Sequence, residues 1–186
     1  MDNYTGYLTG KDISYSGEGI EEILDVLNYN DVHAEDTSML RDALIYGKAV
    51  ELNYIDMDGK QRFKKLDPRE CIDVYDDTLD QNLMYAIRFY RADFIGDSTE
   101  SYIVEVYDAK GVRKYKSTMG FSSFALLDET PHYFNQVPLT FFYLNEEQDS
   151  IFDSVMSLQD AYNSLLSGEV DSWDAFADAY LVLKGC

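Results

Sequence analysis

The spacing of apolar residues predicts two short amphipathic helices near the start of the chain. Four aliphatic residues recur at helical spacing in the first helix: Ile20, Ile23, Leu24 and Leu27. The second helix repeats this spacing from Met39 to Tyr46. A mainly polar stretch, 28–36, lies between them, so we predict a break in the helical structure there.

From Ala49 the apolar positions alternate with polar ones, which is the period of a half-buried strand. The pair Asp58-Gly59 suits a tight hairpin turn, so residues 61–66 form the predicted return strand. Further strand-like runs lie at 71–75, 83–91, 101–107 and 112–116, followed by a non-helical connector between Pro131 and Pro138 and a last strand at 139–143. The middle of the chain is therefore predicted to be an antiparallel β-meander.

The last forty residues change in character. An apolar stripe at helical spacing begins at residue 151 and comprises Ile151, Val155, Leu158, Tyr162 and Leu165. Gly168 is the predicted helix stop, and a second stripe follows with Trp173, Phe176, Ala177 and Tyr180. The predicted fold class is α+β, with short N-terminal helices, a mainly antiparallel sheet and C-terminal helices. We divide it into a body at 1–145 and a helical segment at 146–186.

The composition predicts a globular fold, because 46% of the residues are hydrophobic and 15% are aromatic. We find no apolar run that could span a bilayer and no signal-peptide pattern, which predicts an intracellular protein without a membrane partner. Cys71 and Cys186 are the only cysteines, too few for a disulfide framework or a zinc site. Because the chain ends at Cys186 without a polar tail, we expect it to be truncated.

The formal net charge of -20 opposes tight, sequence-specific binding of nucleic acid, which requires cationic side chains to neutralise phosphates. The charge is also unevenly distributed. Residues 117–183 contain no Lys or Arg and carry eleven acidic residues, whereas all but one of the fifteen Lys and Arg residues lie at or before Lys116. The C-terminal third is therefore predicted to present an acidic surface.

Candidate catalytic and binding motifs are weak. Thr9-Gly10-Lys11 lacks the upstream glycine of a phosphate-binding loop, and the segment 56–59 lacks the later ligands of a calcium loop. Glu146, Glu147 and Asp149 could act in acid/base chemistry or bind a cation, although carboxylates before a helix also favour its positive end. We predict no enzyme activity, no metal site and no cofactor.

The two histidines, His33 and His132, are isolated in the sequence and cannot supply a catalytic triad or a metal cluster. The sixteen tyrosines leave two interpretations open. They could form a protein-binding or carbohydrate-binding face on the sheet, or they could fill half-buried sheet positions. An acidic binding module that uses a Tyr-rich sheet is therefore the alternative function.

Several segments, read in order, resemble the portal family of long-tailed bacteriophages that infect Gram-positive bacteria. They are Gly6-Tyr7-Leu8-Thr9-Gly10-Lys11, Ile45-Tyr46-Gly47-Lys48-Ala49, Leu66-Asp67-Pro68-Arg69-Glu70, Ala86-Ile87-Arg88-Phe89-Tyr90, Pro131-His132-Tyr133-Phe134 with Val137-Pro138, Asn145-Glu146-Glu147, Ser157-Leu158-Gln159-Asp160-Ala161-Tyr162-Asn163 and Phe176-Ala177-Asp178-Ala179-Tyr180-Leu181. Together they extend over nearly the whole chain.

The resemblance implies a viral structural protein of the virion, a subunit of the ring, usually a dodecamer, at the capsid portal vertex. Such a ring is the conduit for DNA packaging and DNA ejection and docks terminase and head-tail connector proteins. Scaffold and major capsid proteins are further implied partners, double-stranded DNA passes transiently, and assembly takes place in the host cytoplasm. By the same resemblance 1–145 corresponds to the wing and 146–186 leads toward the stem, while an N-terminal extension, the clip and the crown are missing.

Two hypotheses follow for the C-terminal segment. Because a channel wall that moves DNA should repel phosphates, we predict that acids such as Asp171 and Asp174 face the channel or a neighbouring subunit. Solvation of the helix surface explains the same acids equally well. We also predict that the stripe of Ile151, Val155, Leu158 and Tyr162 is buried against the body or against another subunit.

Overall fold

A computed structural model describes residues 2–92, 101–118 and 123–177 of the chain. Within these residues the helices are α1 (Asp2–Thr9), α2 (Glu21–Tyr29), α3 (Val32–Tyr46) and α4 (Asp153–Ala177). The strands are β1 (Lys48–Ile55), β2 (Gln61–Leu66), β3 (Cys71–Tyr75), β4 (Leu83–Ala92), β5 (Ser101–Tyr107), β6 (Gly111–Thr118), β7 (Ser123–Pro131) and β8 (Leu139–Tyr143). This confirms the predicted α+β class.

The chain forms two compact units, of which the first ends at Ser150 and the second begins at Ile151. The functional division that we placed after residue 145 stays a prediction. The first unit contains α1 to α3 and all eight described strands, and the second contains α4.

The break between α2 and α3 is shorter than predicted, because only Asn30 and Asp31 separate the two helices and not the whole interval 28–36. The Asn30 side chain holds this corner. Its amide donates to the carbonyl oxygens of Val26 and Gln61, and its oxygen accepts from the Phe63 amide. Asp31 adopts a φ of 50°, which turns the chain into α3.

The first sheet has three antiparallel strands in the order β2-β1-β8. Val50 of β1 lies opposite Leu66 of β2 on one side and opposite Phe141 of β8 on the other. The predicted hairpin turn joins β1 to β2, with Gly59 at a φ of 74°. The Asp56 carboxylate accepts from the backbone amides of Asp58 and Lys60, so this acid stabilises the turn.

The predicted meander is divided between two sheets: the β1–β2 hairpin pairs with β8 in the first, and the strands from β3 onward form a second sheet of five antiparallel strands in the order β3-β4-β5-β6-β7. Its last strand, β7, is absent from the sequence-based prediction. Every residue of β7 is exposed, and β7 pairs only with β6 at the edge of the sheet. Neither face of β7 is buried, and the alternation that identifies a half-buried strand is therefore missing from its sequence.

The three-stranded sheet lies between α3 and the five-stranded sheet. On one face, Ala49 packs against Met39 and Ala43 of α3. On the opposite face, the main core joins residues of both sheets: Val50, Leu66, Cys71, Ala86, Tyr107 and Leu139. A short 3-10 turn, Pro68–Glu70, carries the chain from one sheet to the other.

The helix α4 is continuous from Asp153 to Ala177, so the prediction that Gly168 ends a helix is wrong. A glycine stops a helix when it adopts a positive φ, and Gly168 is not among the residues with positive φ. Trp173 and Phe176 therefore extend the first stripe and do not begin a second helix. Ile151 precedes the helix, and Tyr180 lies outside the described residues.

Candidate functional site

A network of charged side chains lies on the five-stranded sheet around Glu105. Glu105 is 7% exposed and stands between two cross-strand neighbours, Arg88 on β4 and Lys114 on β6. Its carboxylate oxygens lie 3.4 Å from an Arg88 nitrogen and 3.0 Å from the Lys114 nitrogen. The strand register therefore places one buried carboxylate between two cations.

Two tyrosine hydroxyls also donate hydrogen bonds to this carboxylate. The hydroxyl of Tyr107 donates to Glu105 at 2.9 Å, and that of Tyr90 donates at 3.2 Å. Burial alone would raise the pKa of Glu105, but hydrogen bonds from Lys114 and Tyr107 and the nearby cationic charges outweigh it, so the pKa lies below its ordinary value. Glu105 is thus held ionised, and every contact points to structural support of the sheet.

Further contacts involve three of the segments that carry the family resemblance. Arg88 lies over the ring of Tyr90 at 4.4 Å and also reaches Glu70, at 3.8 Å, in the 3-10 turn between the sheets. In the same turn Arg69 forms an ion pair with Asp67 at 2.7 Å and lies over Tyr46. These contacts connect the 3-10 turn with the five-stranded sheet and with the end of α3.

Sequence reasoning missed this network. Glu105 lies in the buried row of β5, but the apolar residues Val104 and Val106 occupy the other row, so alternation in the sequence does not mark Glu105 as a buried acid that needs partners of opposite charge. Identifying Arg88 and Lys114 as those partners requires the pairing of β4 with β5 and of β5 with β6, which the sequence pattern leaves undetermined.

The candidate catalytic residues are separated from one another. His132 bonds through its Nε2 to the carbonyl oxygen of Asp108 at 2.7 Å and so holds the turn between β5 and β6. The His33 Nδ1 lies 3.2 Å from an Asp12 carboxylate oxygen. Burial raises the pKa of the Cys71 thiol to about 12, which keeps this cysteine protonated and unreactive at neutral pH.

The carboxylates at 146–149 lie in a turn ahead of α4. Asn145 closes this turn, because its side chain donates to the Asp149 carbonyl oxygen and accepts from the Asp149 amide. Glu146 and Glu147 are exposed within it. In the described parts of the chain, no group of three or more His, Cys, Asp or Glu residues could hold a metal ion.

Several strand tyrosines use their hydroxyl groups for hydrogen bonds with other side chains of the body. Besides Tyr90 and Tyr107, the Tyr143 hydroxyl donates to Asp73 at 2.7 Å and lies 2.8 Å from the Tyr75 hydroxyl. These contacts favour the interpretation that strand tyrosines stabilise the sheet. They leave fewer free hydroxyls for the alternative of a Tyr-rich binding face.

The apolar stripe of α4 is exposed. Val155 is 48% exposed, Leu158 71% and Tyr162 56%, while Ile151, before the helix, is half-buried. The continuous helix lengthens the stripe by further exposed residues on the same side: Leu165, Leu166, Trp173 and Phe176. An exposed apolar surface of this length is typical of a protein interface.

The acids of α4 lie largely away from this stripe. At 100° per residue, Asp171 is rotated roughly 180° from Tyr162 and Asp174 about 120° from it. Glu169 is the exception, since it falls between Leu158 and Tyr162 around the helix axis. The helix therefore combines one apolar face with one acidic face, and it carries both predicted sets of residues except Ile151, which precedes it.

No helix in the described residues is both long enough and apolar enough to cross a membrane.

Comparison with known proteins identifies the class to which this sheet body and acidic helix belong. The family model for phage portal proteins of the SPP1 Gp6-like type matches residues 1–186. The chain belongs to this family, a class of phage structural proteins and not a known class of enzymes.

A relative of the chain is the portal protein of Bacillus phage SPP1, which is 24% identical over 205 residues. The alignment includes 99% of this chain and 39% of the relative. The chain thus spans about two fifths of the length of the curated relative that it matches.

Proposed function

We propose that the chain is part of a structural, non-enzymatic subunit of a phage portal ring at the capsid vertex. The observation that carries this proposal is the family match over residues 1–186. In this role the complete protein forms the conduit for DNA packaging and ejection, and it passes through the host cytoplasm during assembly. Terminase, scaffold, major capsid and head-tail connector proteins are its proposed partners.

Within that subunit we assign the sheet body to the wing and the helical segment to the start of the stem. The body is suited to a part that bears load, because polar contacts connect its two sheets: Asp73 of β3 lies 3.7 Å from the Lys48 nitrogen of β1 and accepts from the Tyr143 hydroxyl of β8. The described helix α4 is 25 residues long, or roughly 37 Å at 1.5 Å per residue, so it can extend well away from a body.

The apolar stripe of α4 is the proposed contact with a neighbouring subunit. Rings form through heterologous contacts, in which one surface of a subunit meets a different surface of the next. Leu158→Asp in the complete protein should shift rings toward smaller species, because it places a charge in the centre of the stripe. Native mass spectrometry would measure the shift.

Ser167→Asp is the matched control. It adds the same charge as Leu158→Asp, but residue 167 lies roughly 180° around the helix from Leu158. Rings should persist in this variant. If Leu158→Asp leaves both the stability and the ring population unchanged, the stripe has no role in assembly.

The acids Asp171 and Asp174 are the proposed channel-facing or subunit-facing charges. Reversing both to Lys in the complete protein should lower DNA packaging, because cations on the channel wall attract phosphates and retain the strand. The same reversal at Asp77 and Asp80, exposed in the turn between β3 and β4, changes net charge equally and should leave packaging normal. If reversing Asp171 and Asp174 leaves DNA packaging unchanged, these acids serve only to solvate the helix surface.

A further inference from the structure

An open groove lies between α3 and β8 on the helix-facing side of the three-stranded sheet. It has a volume of about 320 Å³, and its apolar lining is formed by Met39, Leu40, Ala43, Ala49, Phe142 and Leu144. The helix α3 packs mainly on β1 and also contacts α1 and β2. Phe142 of β8 remains 46% exposed, so the helical layer over this sheet has room for a further element beside α3.

Charge pairing differs between the two sides of α3. On the β2 side, the carboxylate of Glu35 is paired with Lys64, and that of Asp42 lies 2.8 Å from the Lys65 nitrogen. Both cations come from β2. Two salt bridges therefore join α3 to β2 on this side of the helix.

On the β8 side two half-buried carboxylates, Asp36 and Glu51, line the groove. In the part of the chain that the structure describes, neither lies within 4.0 Å of a Lys or Arg nitrogen, and the sequence of β8 contains no basic residue. Burial raises the pKa of both groups, and the charge of Asp36 further raises that of Glu51. His33 partly opposes the rise at Asp36, and a hydrogen bond with Asn53 partly opposes it at Glu51. A Lys or Arg beside these groups would stabilise their ionised forms.

The groove thus needs two kinds of group: apolar side chains over Phe142, Met39 and Ala43, and a Lys or Arg beside Asp36 and Glu51. A helix packed next to α3 at the usual spacing of about 8–10 Å would present both. A second copy is a poor source, because α1, α2 and α4 contain no Lys or Arg and α3 contains only Arg41. The acidic α4 in particular would bring like charges together.

We propose that this groove binds an amphipathic helix of a different protein, one that carries Lys or Arg at the edge of its apolar face. The occupant completes the helical layer over β8 and supplies the cations that β2 supplies on the other side. The inference rests on the groove itself and is independent of ring formation and of the role of α4.

The test uses the chain labelled with ¹⁵N and an 18-residue peptide of Leu and Lys that forms an amphipathic helix. Titration should give saturable amide shifts at Met39, Ala43, Glu51 and Phe142. The double variant Asp36→Asn with Glu51→Gln should weaken binding by about tenfold or more, because charge-assisted hydrogen bonds are lost. This variant should fold, because it replaces two half-buried carboxylates, neither of which has a Lys or Arg partner, by neutral amides of similar shape.

The matched control is Asp77→Asn with Asp80→Asn, which changes the net charge equally at an exposed turn and should weaken binding less than about twofold. A peptide with Glu in place of Lys should not bind. Equal weakening by both double variants, shifts centred on another surface such as α4, or no binding would overturn the proposal. Shifts at the groove that depend on protein concentration without peptide would assign it to a second copy and also overturn it.

Discussion

Replacing Gly47 with alanine is expected to lower the free energy of unfolding by about 2–4 kcal/mol, the sum of a backbone penalty and an overpacking penalty. Gly47 ends α3 with a φ of 75°, and its amide donates to the Ala43 carbonyl oxygen at 2.9 Å. A Cβ at this position would lie 1.8 Å from the Gln148 carbonyl oxygen. The segment before α4 would have to move away from α3, and urea denaturation of the chain measures the cost.

Gly59→Ala separates the two penalties. Gly59 has nearly the same φ, 74°, but a Cβ there would meet no atom within 4 Å. Its replacement should cost about 1–2 kcal/mol, the backbone penalty alone. If Gly47→Ala costs no more than Gly59→Ala, the close approach of residue 148 to the end of α3 does not contribute to stability.

Replacing Glu105 with alanine is expected to cost about 3 kcal/mol, the lower end of the range for a broken buried ion pair. The lower end applies because the side chains of Arg88 and Lys114 are 25% and 39% exposed and can regain water. Glu129→Ala, at an exposed position of β7 in the same sheet, should change stability by less than about 0.5 kcal/mol. Equal effects of the two variants in urea denaturation would show that the network is energetically neutral.

The Glu105 contribution should also depend on pH. The folded protein lowers the pKa of this carboxyl from its ordinary value of 4.5, so the unfolded chain binds the proton more tightly. The stabilisation is fully present above pH 4.5 and is lost as the pH falls through the lower folded value. The difference in unfolding free energy between wild type and Glu105→Gln should therefore shrink on acidification, and a constant difference would contradict the ionised, paired state of Glu105.

Much of the strand pattern is readable from the sequence, because half-buried strands alternate. The β1–β2 hairpin, β3, β5 and β8 all fall where alternation and turn residues predict them. The prediction misses β7, because this strand buries neither face and its sequence does not alternate. It is wrong at Gly168 for a different reason: glycine often ends helices, but this one keeps a helical backbone.

The side-chain contacts that support the body are less accessible to sequence reasoning. The approach of Gln148 to Gly47 joins residues a hundred positions apart, and the pairing of Glu105 with Arg88 and Lys114 depends on strand register. Motif resemblance identified several of the segments involved, including those that contain Gly47 and Arg88. Their physical role emerges only when the strands are placed side by side.

The sequence predicts which residues of α4 are candidates for contacts, and the structure shows how these residues are arranged around the helix. One continuous helix places the stripe that begins at Val155 on one face and Asp171 on the opposite face. An apolar face for a neighbour and an acidic face away from it are compatible in one helix only because the two sets are separated around the axis. Burial and the channel-facing role stay predictions.

The most direct test of the portal assignment is the mass of the complete protein in solution, measured by native mass spectrometry and accompanied by negative-stain images. We expect closed rings, of about twelve subunits by the family resemblance, with a central hole. A well-folded protein that stays monomeric at high concentration, also in the presence of its capsid and scaffold proteins, would contradict the assignment.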